Sequence, residues 1–600
     1  MSVAAPKLPG LTAPLDHYFR APGTYATALS TPVDYRGMDN AGERRIMLDP
    51  IPLRELSILQ LMNHITDKPT WNKKVFKKRI VARWKEEILA KYHDTVIESM
   101  VDWVFEELRV RAEIFEDTGA VTVFDIGVVK SDSAVEEQVR EELKAAVASL
   151  ENVPEAEKDY HPGSDGQVLN LVHPSLFPLV YGQTRAWAGL ELSREDCLRH
   201  FPTGKPIPIP LEIDSTSKIK TRFGSTGLSK IYSRKFQWLP CEVDVTGWDE
   251  KRCTTITSYI NNLHPEKHKD LYAVIEKVIA CAIPLWGTTL TPLELDELRF
   301  TRVLGHRIDT QWVKEKRCHG TYDVPVYDLK LPETKEFPGP ERLYNFFNPG
   351  WYSRLNMTMS YKGRLQIIVK LANIHLTPEK PEYAGGTWHV EGQMNEHICA
   401  TALYYYSNHN VTASHLAFRQ KFTEPFPGRH DTVQDWLGTV FGVKDQAPAA
   451  QELGSVLCSE GRLLTFPNLL QHRVQPFALD DREKPGWRKI LALFLVDPAV
   501  EVVSTKHVPP QQREWWQGEQ GKDGEEGSLS GDFVELREVG AEDQPAEQAG
   551  GIGRDNRTDG GLMDMEQAKE LRLQLMEERA MYVGTQEDHF KGNRFSLCEH

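Results

Sequence analysis

Between about residues 355 and 500 this 600-residue chain contains a succession of short β-prone runs, and these limit the folds that it can adopt. Each run is rich in β-branched or aromatic residues and is bounded by turn residues, as strands are. The runs are Leu365–Ile374, Thr387–Val390, Ile398–Tyr406, Gly461–Phe466, His472–Phe477 and Arg488–Val496. So many short strands in one segment predict a sandwich or a jelly roll, and the choice between them stays open at this point.

The segments on the N-terminal side predict different structures. Val101, Val104, Leu108 and Phe115 recur at helical spacing, which is typical of amphipathic helices. We therefore predict an extended Pro- and Gly-rich arm over 1–48, a helical module over 49–120 and a mixed α/β region over 121–340, with β-prone runs at Val121–Val129, Lys235–Val245 and Thr254–Ile260 and a helix at Pro265–Ala282. The β-rich core is then expected over 341–510.

The composition changes sharply beyond Trp516. Residues 518–560 contain 12 acidic and 4 basic residues, which predicts a disordered acidic linker. Asp564 and Gln567 then have the spacing of a capping box, so a C-terminal helix is expected within 562–590, running to about Met581 and ending before Gly584. A helix that follows such a linker is expected to dock back on the body.

Overall charge and hydropathy exclude several classes of function. The net charge of −15 argues against general binding of nucleic acid or anionic membranes. The longest apolar run, Val278–Trp286, is too short to span a bilayer, and the N-terminal residues lack the pattern of a signal peptide. The eight cysteines include no Cys-x-x-Cys pair. We expect an intracellular, cytoplasmic protein; a nuclear one is the alternative if the basic cluster 73–79 is an import signal rather than a solvated helix face.

Three residues in the β-rich region have the chemistry and spacing of metal ligands. His389 and Glu391 stand two apart within Tyr383–Gly392, so on a strand their side chains point to the same face. His472 begins a later predicted strand. Two histidines and one carboxylate form the facial triad of nonheme iron(II) sites. For His375, His397, His409, His415 and His430, which lie in the same region, the structural interpretation is favoured.

An arginine completes a recognisable order of residues. Arg488 follows His472 by sixteen residues in an apolar predicted strand, where a guanidinium needs a carboxylate partner. The order His-x-Glu, His, Arg, together with Gly461–Pro467 before the second histidine, resembles the iron(II)/2-oxoglutarate-dependent dioxygenase superfamily. The Glu391 position is a departure, because Asp is commoner there.

The superfamily resemblance implies both a fold and a reaction. The fold would be α+β, a double-stranded β-helix (jelly-roll) core with an N-terminal helical module and additional flanking helices. His389, Glu391 and His472 would hold iron(II), while Arg488 would grip the distal carboxylate of 2-oxoglutarate. With O2 as the other cosubstrate, an unidentified substrate would be hydroxylated with release of succinate and CO2.

A second ligand for the cosubstrate is expected in this superfamily. Thr401 and Tyr405 share strand parity in the run Ile398–Tyr406, so both can face inward. Tyr405 is favoured, Asn373 on the preceding strand is a further candidate, and packing of aromatic residues in the sheet explains the tyrosines equally well.

Nearly the whole chain also resembles a mainly fungal family of unknown function, the domain-of-unknown-function 4246 group. The stretches that carry this likeness are Ile65–Trp71, Val128–Asp132, Val172–Gly182, Phe236–Cys241, Ser258–Pro265 and Trp388–Gly392. The family name states no activity.

Two alternatives to the oxygenase stay open, a cupin-type metal-binding protein with other chemistry and a non-catalytic jelly-roll scaffold. The aromatic-rich connection Asn410–Gln451 is expected to form either a lid or extra packing. The substrate could be a small molecule or a protein, and the sequence indicates no oligomeric state.

Overall fold

The computed structural model of the chain describes most of the body of the protein. The described residues are 50–186, 191–199, 204–210, 218–221, 224–227, 232–248, 253–294, 300–303, 332–347, 363–422, 434–443, 450–517 and 561–592, with positions 8, 25, 27, 28, 202, 447 and 448. The predicted acidic linker, most of the predicted arm and His430 lie outside these residues.

Helices flank the strand-rich region on both sides in sequence. They are α1 (Leu53–Thr66), α2 (Trp71–Lys74), α3 (Lys78–Lys91), α4 (Glu98–Thr118), α5 (Glu137–Glu151), α6 (Lys269–Glu294), α7 (Pro340–Phe347), α8 (Gln434–Phe441), α9 (Arg513–Gln517) and α10 (Met565–Gly592). The first four lie within residues 49–120, where the sequence predicts helices.

The strands divide between an N-terminal set of short pieces and a C-terminal set that includes three long ones. The first set is β1 (Val121–Phe124), β2 (Val128–Ser131), β3 (Asp159–Tyr160), β4 (Val168–Val172), β5 (Leu179–Val180), β6 (Arg185–Ala186), β7 (Lys205–Pro206), β8 (Lys218–Thr221), β9 (Gly224–Gly227), β10 (Phe236–Gln237), β11 (Cys241–Asp244) and β12 (Thr255–Ile256). The second is β13 (Arg364–Leu376), β14 (Glu382–Tyr383), β15 (Ile398–His409), β16 (His415–Lys421), β17 (Ala450–Leu457), β18 (Leu463–Pro467), β19 (Gln471–Val474), β20 (Phe477–Ala478) and β21 (Gly486–Val496).

Two antiparallel sheets organise the core. The main sheet has the order β1-β2-β18-β15-β21-β13-β11-β12, with β4 also pairing β13 and β3 pairing β4. The second sheet has the order β17-β16-β19. Phe466 of β18 packs on Phe418 of β16 with ring centroids 5.1 Å apart, so this face of the main sheet, the inner face, is directed toward the second sheet. The protein therefore combines helices with a large antiparallel sheet.

Helix α6 covers the outer face of the main sheet. Its Thr289 hydroxyl lies 2.7 Å from that of Thr465 on β18. Lys269–Leu293 is long and apolar enough to cross a bilayer by length and composition, with a mean hydropathy of 1.4 over its best window, but 61% of that window is buried inside the fold. Its apolar surface is thus used for packing against the sheet, as in a core helix.

Several predicted boundaries are wrong for identifiable reasons. Helix α6 begins later than predicted and continues to Glu294 through Pro284 and Pro292. Helix α10 runs past Gly584, although its capping box is confirmed by reciprocal bonds between Asp564 and Gln567 of 2.8 and 3.1 Å. In α6, packing against the sheet overrides the local helix-breaking tendency of the two prolines.

The strand predictions fail at two places. Within Thr387–Val390 the described backbone makes an isolated bridge at His389 rather than a ladder. The connection 410–451, for which the sequence predicts a lid or extra packing but no strand, contains β16, and a further strand, β17, begins at its end. Its residues 423–433 lie outside the described part, so the predicted lid remains untested.

A buried ionic network joins the helical module to the sheet. The Arg302 guanidinium lies 2.6 Å from Glu55 of α1, 2.7 Å from Glu107 of α4 and 2.7 Å from Asp125 between β1 and β2. Its side chain and that of Glu107 are fully buried. Three carboxylates in low dielectric need this cation, because their mutual repulsion is only weakly screened there.

We predict that Arg302→Met destabilises the protein by about 3–5 kcal/mol, since it leaves the buried Glu55 carboxylate without a counter-charge and leaves Arg111 alone to neutralise Glu107 and Asp125. The measurement is urea unfolding followed by circular dichroism. Arg83→Met is the control, because Arg83 and Glu87 form an exposed pair that should leave the unfolding curve unchanged. Equal curves for the wild type and Arg302→Met would contradict the prediction.

Candidate metal centre

His389, Glu391 and His472 converge on one point between the sheets. One ligand atom from each lies within 4.8 Å of the others, and among the described residues this is the one such cluster of histidine, cysteine and acidic groups. His389 and His472 form an antiparallel bridge with backbone N···O distances of 3.1 and 3.0 Å, which brings their ring centroids to 4.3 Å. The structure thus brings together the three ligands expected from the sequence.

The geometry around Glu391 suits a cation. Its Oε1 atom lies 3.2 Å from His472 Nε2 and 3.7 Å from His389 Nε2. Burial alone would raise the pKa of Glu391, but the hydrogen bond to His472 and the charges of both histidines outweigh it and lower that pKa to about 2. The carboxylate is therefore ionised at neutral pH, as a metal ligand must be.

The two ring nitrogens of His389 have separate roles. Nδ1 lies 2.8 Å from the Thr387 carbonyl, so it carries the proton and donates, which leaves Nε2 bare for a metal. Burial, followed by the neighbouring His472, lowers the pKa of His389 to about 4, although 35% of its side-chain surface stays exposed. His472 is only 4% exposed, so the cluster is accessible from the side of His389.

Asn468 holds the backbone of Glu391 in place. Its Oδ1 accepts from Glu391 N at 2.9 Å, and its Nδ2 donates to the carbonyls of Glu391 at 2.9 Å and Ile398 at 3.0 Å. Gly392 follows with φ of +67°, and a Cβ there would lie 2.8 Å from the Ile398 side chain. The sharp turn after the ligand therefore requires glycine.

Arg488 is a buried cation without an acidic partner. It lies on β21 opposite Ile374 of β13 and is 2% exposed. Its guanidinium donates to the Ser414 hydroxyl at 3.3 Å and lies 5.4 Å and 5.3 Å from the ring centroids of Tyr405 and Phe477. In the described part of the chain no carboxylate lies within 4 Å of it, and its Nε is buried without a partner. A buried guanidinium in this state favours an anionic ligand.

The structure separates the three candidates for the second cosubstrate ligand. Tyr405 lies beside Arg488 on the inner face; its buried hydroxyl approaches the Cys458 thiol but has no geometrically acceptable hydrogen bond among the described residues. Thr401 is on the same face but opposite Phe494, six residues along β21 from Arg488. Thr401 and Arg488 therefore cannot bind the same carboxylate.

Asn373 is not part of this centre. Its side chain points to the outer face, where Nδ2 donates to Glu151 of α5 at 2.7 Å and Oδ1 accepts from the Tyr406 hydroxyl at 3.2 Å. Residues 373 and 374 alternate across the sheet, so only Ile374 shares the face of Arg488. The expectation that Asn373 contacts the cosubstrate is therefore wrong on geometric grounds.

Two residues of the inner face were not expected from the sequence. Ser414, just before β16, belongs to no recognisable sequence motif, so no sequence signal pointed to it. Lys370 of β13 interrupts an otherwise apolar run, which is a usable signal for an inward-facing charge. The described histidines His375, His397, His409 and His415 do not join the metal cluster.

The sequence models of one family match most of the chain. A model described as "Protein of unknown function (DUF4246)" matches residues 98–519, and a model of the N-terminal domain of DUF4246 matches residues 8–87. The chain belongs to the DUF4246 family. No curated protein matches this DUF4246 chain in sequence.

Solved structures offer weak likenesses to this DUF4246 protein. A bsmA homolog from Methylobium petroleophilum PM1 is 11% identical with a TM-score of 0.16, over 29% of this chain and 60% of its own. The Fe(II)/α-ketoglutarate-dependent dioxygenase TqaL is 11% identical with a TM-score of 0.25, over 68% and 94%. IDO from Bacillus thuringiensis is 12% identical with a TM-score of 0.14, over 26% and 55%. Likenesses this weak do not assign a function to this chain.

We predict that Asn468→Ala weakens iron(II) binding about 10- to 100-fold, because it frees the backbone on both sides of the Glu391 carboxylate. Anaerobic calorimetric titration with iron(II) measures this. Asn261→Ala is the matched control, since the buried Asn261 Nδ2 likewise donates to two backbone carbonyls, those of Leu176 and Phe177, outside the cluster. An unchanged affinity in Asn468→Ala would refute the positioning role.

Proposed function

We propose that this DUF4246 protein is an iron(II)/2-oxoglutarate-dependent oxygenase that hydroxylates an unidentified substrate. The observation that carries the proposal is the pairing of a two-histidine, one-carboxylate cluster with a buried arginine that has no acidic partner among the described residues. The cluster matches the donor set of nonheme iron(II), and the arginine matches a carboxylate.

The strand order supports a double-stranded β-helix as the scaffold. Four strands of the main sheet run β13-β21-β15-β18, and the facing strands run β17-β16-β19. The His389–His472 bridge and the pairing of β14 with β20 extend the second sheet by a further strand position. Two facing four-stranded antiparallel layers are the arrangement expected of a jelly roll, and this likeness supports the proposal.

The residues present fit both iron(II) and the cosubstrate. His389 Nε2, His472 Nε2 and Glu391 would hold the metal, and the bound metal with 2-oxoglutarate and O2 would supply oxidation of a C–H bond with release of succinate and CO2. Arg488 has unused donors that would bind the distal carboxylate bidentately. Ser414 and Tyr405 hold that guanidinium from two sides.

Apolar side chains would keep water away from the reacting groups. Phe466 lies 4.8 Å from the His472 ring, and Phe418 packs behind Phe466. Phe477 covers the Arg488 guanidinium. A dry surround strengthens the charge interactions on which binding of a dianion depends.

A cupin-type metal protein and a non-catalytic scaffold are the competing functions. A cupin with other chemistry does not explain a buried Arg488 without an acidic partner among the described residues. A non-catalytic scaffold does not explain why three metal-ligand side chains converge. Both alternatives predict that 2-oxoglutarate does not bind.

We predict that the purified protein binds one equivalent of iron(II) without oxygen, and that His389→Ala and Glu391→Gln each abolish stoichiometric binding by removing one of three ligands. Metal content after desalting measures this. His409→Ala is the control, because the His409 ring stacks on Trp487 outside the cluster. Retained stoichiometric iron in both ligand variants would rule out this cluster as the metal site.

We predict that Arg488→Met weakens 2-oxoglutarate binding by about 2–4 kcal/mol, roughly 30- to 1,000-fold, while iron(II) binding is unchanged. Calorimetry on the iron-loaded protein without oxygen measures both affinities.

Lys489→Met is the matched control, since Lys489 is the next residue on β21 but pairs with Glu151 on the outer face at 2.7 Å. If the wild type binds iron(II) but no 2-oxoglutarate, the cupin becomes the better assignment. If it binds neither, the scaffold does.

A further inference from the structure

A second cation lies on the inner face near the metal cluster. Lys370 of β13 pairs with Ala492 of β21, in the same register in which Ile374 pairs with Arg488. Lys370 therefore shares the face of Arg488, at a distance of four residues along the strand, about 13 Å. The two cations stand at different levels of the same interior surface.

Lys370 has small neighbours and is partly exposed. Ala372, two residues along β13, and Ala492, across from it on β21, have short side chains. The residue is half-buried rather than part of the packed core. Its side chain is therefore partly accessible on the inner face.

Lys370 lacks a counter-charge of its own. Within the described residues its ammonium makes no hydrogen bond and has no carboxylate within 4 Å. Glu391 is the acidic group that acts on it, and Glu391 belongs to the metal cluster. An unpaired ammonium in a partly desolvated site is costly, and such groups gather where an anion binds.

The other groups near Lys370 are uncharged imidazoles. His161 and His173, on the segments around β4, have ring centroids 5.3 Å apart. Burial first, and then the charge of Lys370, lowers the pKa of His161 to about 4 and that of His173 well below its ordinary value. Neutral imidazoles can donate a hydrogen bond to an anion but cannot repel or neutralise Lys370.

Helix α10 brings two arginines near these histidines, and both arginines already have acidic partners. Arg572 lies 2.6 Å from Asp159 of β3. Arg579 lies 2.7 Å from Glu396, and its guanidinium stacks 3.7 Å from the Trp238 ring centroid. Asp159 and Glu396 are therefore neutralised by arginines of α10 and are not available to Lys370.

The formal charges of the loaded centre leave one positive charge over. A divalent metal with Glu391 carries one net positive charge, and Lys370 and Arg488 add one each. A 2-oxoglutarate dianion offsets two of these three charges. The remaining charge favours one more anionic group in a site of low dielectric.

We propose that Lys370 is an anion-binding subsite for the substrate, so that the substrate carries a carboxylate or phosphate group at the opposite end of the inner face from Arg488. This inference rests on the proposed oxygenase function. The anion would bind Lys370 with His161 and His173 beside it, which would fix the substrate relative to the metal cluster.

The test compares the wild type with Lys370→Met, Lys370→Arg and Lys489→Met. Each protein is first titrated with iron(II) and 2-oxoglutarate without oxygen, and then with sodium acetate or sodium phosphate at constant ionic strength, all by calorimetry. We expect the wild type to bind one of the two anions, Lys370→Met to bind it at least tenfold more weakly, and the other two variants to bind within threefold of the wild type.

Thermal unfolding of the metal-free protein gives an independent readout. In anion-free buffer Lys370→Met should unfold at a temperature equal to or above that of the wild type, because it removes an uncompensated charge, whereas Lys489→Met should unfold at a lower temperature because it breaks an ion pair. A lowered unfolding temperature for Lys370→Met would show a structural role and overturn the proposal.

The remaining outcomes are also decisive. Equal anion binding by the wild type and Lys370→Met, or none by the wild type, overturns the subsite. A tenfold loss of 2-oxoglutarate affinity in Lys370→Met, with no further anion bound by the wild type, assigns Lys370 to the cosubstrate and overturns it as well. If the wild type binds no iron(II) or 2-oxoglutarate, the oxygenase proposal fails at the first step, and the anion titration of the metal-free proteins then decides the role of Lys370.

Discussion

Two backbone hydrogen bonds between His389 and His472 fix the centre of this protein. They join segments 83 residues apart in sequence and place both rings on one side of the second sheet. Asn468 then holds the backbone of Glu391 in register with them. Because the main chain sets these positions, the three ligand side chains need little conformational adjustment to converge, which lowers the entropy lost when a metal binds.

Buried and half-buried cations in this fold are of two kinds. Arg302, Arg462 and Arg579 each have carboxylate partners within 3 Å, and they join helices and loops to the sheets. Arg488 and Lys370 have none within 4 Å in the described part of the chain, and both project from the inner face of the main sheet. Since desolvated charges are normally compensated, the uncompensated ones mark where an anion is expected.

The flanking helices determine what the interior can bind. Glu151 of α5 accepts a hydrogen bond from Asn373 and forms an ion pair with Lys489, and both contacts lie on the outer face of the main sheet. Arg572 and Arg579 of helix α10 neutralise Asp159 and Glu396, so these acids are not available to Lys370. Accessory elements thus set the charge of the interior without contributing metal ligands.

The sequence was sufficient to predict that His389, Glu391 and His472 come together, that Arg488 lies in an apolar strand, and where the helices of residues 53–118 and most long strands are, because residue type and periodicity are local properties. It did not determine the bridge at His389, strand β16 or the course of α6 beyond Pro284, since these depend on pairing and packing with distant segments. Strand parity placed Thr401 and Tyr405 on one face, with Tyr405 favoured, and left Asn373 on the preceding strand as a further candidate. Only the tertiary structure separated them, because α5 occupies the outer face and the register of β15 on β21 decides which residue lies beside Arg488.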